Sequence, residues 1–135
     1  MRASIVAMTL SGIVCLLVSS ASPQTAAAQG ADAAAGQQAF NNACRTCHTV
    51  KQGDNRQGPN LHGIIGRKAG SLPDYGYSSA MKDAGFAWDA DKLGRFMENP
   101  DAVVSGNSMK PFGGVASADD RAKIIAYLQS AAAGQ

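Results

Sequence analysis

Cys44-Arg45-Thr46-Cys47-His48 places two thiols three residues apart and an imidazole directly after the second. C-x-x-C-H is the spacing at which a chain attaches a c-type haem: each sulfur adds across one vinyl group, and the following His is held under the iron as an axial ligand. The spacing predicts one covalently bound haem c, anchored by Cys44 and Cys47 and ligated by His48. Two rival uses of paired thiols fit less well. A redox-active disulfide of this spacing usually sits at a strand-to-helix turn in a βαβ pattern, and no such pattern surrounds these residues. A zinc site needs four ligands, and His62 is the one further candidate of the soft or imidazole type.

The chain's start bears on where the thiols end up. Met1-Arg2 is a short positive start, Ile5 to Val18 an apolar run, and Thr25-Ala26-Ala27-Ala28-Gln29 an A-x-A cleavage site. Residues 1–28 thus read as a cleavable secretory signal peptide, with residues 29–135 as the mature domain. The apolar run is short for a bilayer span. A cut after Ala21 and a retained anchor are the alternatives, and Cys15, behind the bulky Val14, leaves with the leader. Export to the periplasm, an oxidising compartment, explains why both remaining thiols need a partner. At 135 residues the chain has room for one ordinary domain. Its formal charge is +2, or +1 once Arg2 is lost, which gives no support to nucleic-acid binding through a concentrated basic face.

The periodicity predicts an all-α fold of about five helices and long loops. Residues 19–31 read as a cleavage region and a frayed start. From Asp32, a plausible N-cap, a helix runs to Ala43 with Gly36, Phe40 and Cys44 on one face. Residues 50–76 carry eight Gly or Pro residues, from Gly53 to Gly76, a density that forbids a long helix or a central strand. A short helix fits Ser78 to Ala84, ended by Gly85. Asp89 caps a helix with Leu93, Phe96 and Met97 on one face, which Pro100 stops, and Ser117 with Asp120 opens a last helix bearing Ile124, Ile125 and Leu128. Structureless loops beyond about 15 residues are uncommon in compact domains. A large apolar cofactor resolves the conflict, because the loops can bury their apolar side chains against it.

A carrier of single electrons gains from a filled sixth coordination position, and a thioether there favours Fe(II). Met97, at helical spacing from Leu93, and Met81, in the short helix, read as packing. Met109 differs. It lies in Ser105-Gly106-Asn107-Ser108-Met109-Lys110-Pro111-Phe112-Gly113-Gly114, where the backbone can bend close to a ligand. It follows His48 by about 60 residues, enough to pass round the macrocycle, at a closure cost of roughly 3 to 4 kcal/mol that packed helices must help offset.

The ordered series Gly36, Phe40, Cys44-x-x-Cys47-His48-Thr49-Val50, Gly58-Pro59-Asn60-Leu61-His62-Gly63, Gly66-Arg67-Lys68-Ala69-Gly70, Tyr75-x-Tyr77-Ser78, Trp88, Glu98-Asn99-Pro100, the Met109 loop and Ile125-Ala126-Tyr127-Leu128 resembles the class I c-type cytochromes, the mitochondrial cytochrome c and bacterial cytochrome c2 group. The resemblance implies a fold whose first and last helices cross, Gly36 admitting Tyr127. It implies Met109 as the second axial ligand, the Pro59 carbonyl as acceptor from the outer nitrogen of His48, Tyr77 and Trp88 as partners of a buried haem propionate, and Arg67 as its compensating charge. It also implies a soluble monomeric carrier of single electrons in a respiratory or photosynthetic chain, not an enzyme. Its partners would be redox proteins met by transient docking at membrane complexes, such as a bc1-type donor and a terminal oxidase or photosynthetic reaction-centre acceptor.

Other readings of the same residues are blander. Trp88 would bury well without its N–H contact, Arg67 with Lys68 reads equally as a solvated pair, and His62 reads as a surface residue. The chain also departs from the family. Phe96 stands where a Tyr usually contacts the Met sulfur, Met81 replaces an Asn, and Asn107 replaces a Thr. Ala43, Asp101 and Ser108 stand where docking lysines are usual, leaving Lys51, Arg56, Lys82 and Lys110 for steering. A haem enzyme or ligand sensor with an open sixth site is the rival class, and the electron-transfer subunit of a permanent complex is a second.

Overall fold

The computed structural model describes residues 24–133. Residues 1–23, most of the segment expected to be a cleavable leader, lie outside them. Five helices follow in order: α1 (Gln24–Ala43), α2 (Ser79–Lys82), α3 (Ala90–Glu98), α4 (Pro100–Val103) and α5 (Ala118–Ala133). Among the described residues the only β pairing is an isolated bridge between Lys68 and Ala87. The fold is all-α, as expected. No described helix is long and apolar enough to cross a membrane.

Helix starts follow local chemistry. Ser78, Asp89 and Asn99 cap α2, α3 and α4, their side-chain oxygens accepting from Met81 N, Lys92 N and Ala102 N. The Ser117 hydroxyl accepts from Asp120 N at 3.1 Å to open α5. Three boundaries differ from the sequence expectation, the first being α2, which ends at Lys82 with Asp83 as its C-cap and does not reach Ala84. The first helix begins at Gln24, so Asp32 lies inside it and is not its cap. Ala26-Ala27-Ala28 supplies the best helix-forming residue three times over, enough to carry the single Gly30. Pro100 ends α3 but also opens α4, because its missing N–H costs nothing at a first helical position and Asn99 caps the new turn.

Helices α1 and α5 cross at Gly36. A β-carbon there would lie 2.6 Å from the Lys123 carbonyl oxygen and 2.9 Å from Tyr127 Cβ, so the crossing distance depends on the absent side chain. Next to it the Phe40 and Tyr127 rings pack with centroids 5.4 Å apart. Gly36→Val is therefore expected to destabilise the haem-loaded protein by about 1–3 kcal/mol through overpacking. Thermal unfolding followed by circular dichroism measures this, and an unchanged midpoint would show that the helices part at no cost.

The buried apolar residues pack as one cluster that is hollow on one side. Ile64, Met81, Trp88, Leu93, Phe96, Met97, Ile124 and Leu128 are buried, yet every one also faces a single internal cleft. They form a shell around it.

Candidate functional site

The helical hydrogen bonding of α1 continues through the thiol motif. Cys44 N donates to Phe40 O at 2.8 Å and His48 N to Cys44 O at 2.9 Å. One turn thus carries Cys44, Cys47 and His48 at i, i+3 and i+4, which puts all three on one side. The cleft they enter encloses, together with its solvent-open mouth, about 1170 Å³ of empty space. All eight residues singled out from the sequence line it: Cys44, Cys47, His48, Pro59, Arg67, Tyr77, Trp88 and Met109.

His48 is held from two sides. Its Nδ1 donates to the Pro59 carbonyl oxygen at 2.8 Å. Burial lowers its pKa below the ordinary histidine value, with the nearby Arg67 charge acting the same way against the Pro59 contact. The ring is neutral at pH 7, with Nε2 left as a lone-pair donor. Gly58 lies flat against it: a β-carbon there would fall 2.2 Å from His48 Cε1. Gly58 N in turn donates to Cys47 O at 2.8 Å, which ties the loop to the thiol turn.

Both thiols are free and not joined as a disulfide. Burial, reinforced by Cys47, pushes the Cys44 thiol up to about 11. It is therefore a neutral S–H at pH 7 and a poor ligand for a bare metal ion. Among the described residues no group of three or more His, Cys, Asp or Glu side chains is placed to hold such an ion.

At the cleft's polar end, the Lys68–Ala87 bridge sets Arg67 beside Trp88. Trp88 N donates to Arg67 O at 2.9 Å, and Gly66 N donates to Trp88 O at 2.7 Å. The Arg67 guanidinium donates to the carbonyls of Asn60 (2.9 Å) and His62 (3.2 Å). It is half-buried, and among the described residues it pairs with no carboxylate. A partly desolvated cation without an acid asks for an anion from the cleft. Burial raises the pKa of the Tyr77 phenol against the opposing influence of Arg67, so it stays protonated as a donor. Trp88 packs edge-on against Phe96, with ring centroids 5.0 Å apart. Phe96 thus supplies an apolar wall in place of a phenol.

All three methionines of the domain reach the cleft. Met81 and Met97 are buried on α2 and α3, as expected of packing residues, and Met109 is half-buried on its loop. Its backbone N–H donates to Asn107 Oδ1 at 2.9 Å. The cleft's volume, its apolar wall, the two unbridged thiols, the flat cradle under His48 and the unmatched Arg67 charge together fit a haem bearing acidic propionates.

Several contributors were missed from sequence. Gly58 was read as punctuation, Asn60 as part of a motif, and Asp101 only as a lost lysine. Nothing in composition marks a carbonyl as the acceptor for an arginine. One expectation is corrected: His62 is not a surface residue but half-buried, its Nδ1 enclosed without a hydrogen-bond partner. Lys110, expected to steer partners, is paired with the Asp101 carboxylate, and Arg56 lies 3.8 Å from Asp54.

The family model described as Cytochrome c matches residues 33–132. Cytochrome c of Gibberella zeae is 45% identical over 101 residues, covering 74% of this chain and 94% of its own. That of Euglena viridis is 39% identical over 99 residues, covering 73% and 96%. Among solved structures, cytochrome cH from Methylobacterium extorquens aligns with a TM-score of 0.67 at 38% identity, covering 73% of this chain and 98% of that one.

Proposed function

The chain belongs to the cytochrome c family and binds one covalent haem c, and from that premise we propose that it is an exported periplasmic shuttle moving single electrons between complexes of a respiratory or photosynthetic chain. The bound haem supplies one-electron Fe(III)/Fe(II) cycling. Cys44 and Cys47 would anchor it, and His48 and Met109 would hold the iron from either face. The observation that carries this reading is the meeting of all four in one cleft with a buried, oriented His48.

Each residue's part follows from its surroundings. The Pro59 carbonyl fixes the His48 ring and raises the basicity of the nitrogen facing the cleft. Arg67 offers charge to a propionate, and Tyr77 and Trp88 offer donors to it. The apolar wall excludes water, which limits rearrangement around a centre whose charge changes by one. Electrons would enter from a bc1-type donor and leave to an oxidase or reaction-centre acceptor through the solvent-facing lining at Cys47, Gln57 and Lys110, each partner being met transiently.

Purified protein is expected to have a mass equal to residues 29–135 plus one haem, with Gln29 first. Its visible spectra should show a c-type reduced form and, when ferric, the weak far-red band of a bound Met sulfur. Tight carbon monoxide binding to the reduced protein at neutral pH would favour the haem enzyme or sensor instead. Co-purification with a partner through high salt would favour a permanent subunit.

A further inference from the structure

Asn107 is 6% exposed and commits its amide wholly to its own neighbourhood. Its Nδ2 donates to Asp101 Oδ1 at 2.8 Å and to Val104 O at 2.9 Å, while its Oδ1 accepts the Met109 N–H at 2.9 Å. The second Asp101 oxygen accepts from Lys110 Nζ. One carboxylate on α4 thus reaches the Met109 loop twice, once through Asn107 and once through the residue after Met109. Helix α4 is itself a built element, capped by Asn99 and opened by Pro100. A buried amide is tolerated only when its hydrogen bonds are made, so this network holds one loop geometry and penalises the others.

We infer that Asp101 and Asn107 are positioning residues that set how readily Met109 gives up the iron. The inference rests on the reading of Met109 as axial ligand. An opened loop must strand the Asn107 amide or rehydrate it, and it separates Asp101 from Lys110. The Lys110 contact adds little, since both partners are more than half exposed. The gate is therefore the Asp101–Asn107–Met109 chain of hydrogen bonds.

The test titrates the ferric haem-loaded protein with imidazole, which takes the iron only where the Met109 loop yields, and follows loss of the far-red band. Asn107→Ala is expected to bind imidazole about tenfold more tightly than wild type or better. Asp101→Ala should tighten it severalfold, and Asp101→Asn, which keeps an amide oxygen for Asn107, should restore most of the wild-type value. Guanidinium unfolding of the same proteins gives global stability separately. Unchanged imidazole affinity in both alanine variants alongside reduced stability would overturn the inference and leave a purely structural role. Should Asn107→Ala fail to accumulate, the Asp101 pair alone decides, since that side chain is exposed. A wild-type protein without the far-red band, with imidazole affinity unmoved by Met109→Ala, would instead sink the ligand assignment itself.

Discussion

Replacing both anchors, Cys44→Ser with Cys47→Ser, is expected to yield a colourless chain that has lost its fold. The reason lies in the shell-like packing: eight of the buried apolar side chains, from Ile64 to Leu128, pack against one another but also line the cleft, so the core stays hollow on that side unless something fills it. A void of about 170 Å³ left there would cost about 4 kcal/mol at roughly 24 cal/mol per Å³. That approaches the lower end of the 5–15 kcal/mol that holds ordinary domains together. Closer approach of α1 and α5 cannot relieve it, because they already touch at Gly36. Intact mass, visible absorbance and far-ultraviolet circular dichroism check the expectation together. A folded double variant with wild-type helicity and the mass of polypeptide alone would refute the view that the cofactor serves as core. The single variants should be milder and unequal. Cys44 is buried and Cys47 part-exposed beside Gln57, so losing the Cys44 link leaves the deeper gap.

Much of this was legible in the chain because it is written in strong local signals. Asp89 followed by Leu93, Phe96 and Met97 at helical spacing specifies α3 almost to the residue. The glycines and prolines between 50 and 76 likewise announce a belt of loops. Cofactor contacts at Cys44, Cys47 and His48 need only a spacing. Where the signal was weaker, other physics won. Ala-rich residues before Asp32 read as a frayed start because no apolar stripe marks them, yet intrinsic propensity carries the helix back to Gln24. Pro100 was read only as a stop, although a proline serves equally as a first helical residue when an Asn precedes it. The Asp101–Asn107 network was invisible for a different reason. Its members belong to a helical turn and a loop, and their meeting is a product of tertiary structure, with no period to betray it. His62 shows the same limit, since its burial comes from the path of the loop belt.

Met109→Ala is expected to leave the haem covalently attached and the protein folded, while removing the far-red band and lowering the midpoint potential by on the order of 100 mV or more, part of the roughly 0.8 V that axial ligation commands. Attachment survives because Cys44, Cys47 and His48 lie in the turn that follows α1, tied to Gly58 and Pro59 and apart from the 105–114 loop. Folding survives because Met109 is only half-buried and its loop is anchored from elsewhere, by Asn107 to Val104 and Asp101. The potential falls because a soft thioether stabilises Fe(II) over Fe(III), and water or hydroxide, the harder ligand left to take its place, reverses that preference. Met81 and Met97 line the same cleft and are the natural substitutes. Both are buried on helices whose packing would have to break for either sulfur to reach a new position, so neither should rescue the band. Spectroelectrochemistry of the variant beside Met81→Leu and Met97→Leu decides the matter. Loss of the band in either leucine variant, with the band intact in Met109→Ala, would move the second ligand onto a helix and reassign the 105–114 loop as a cover.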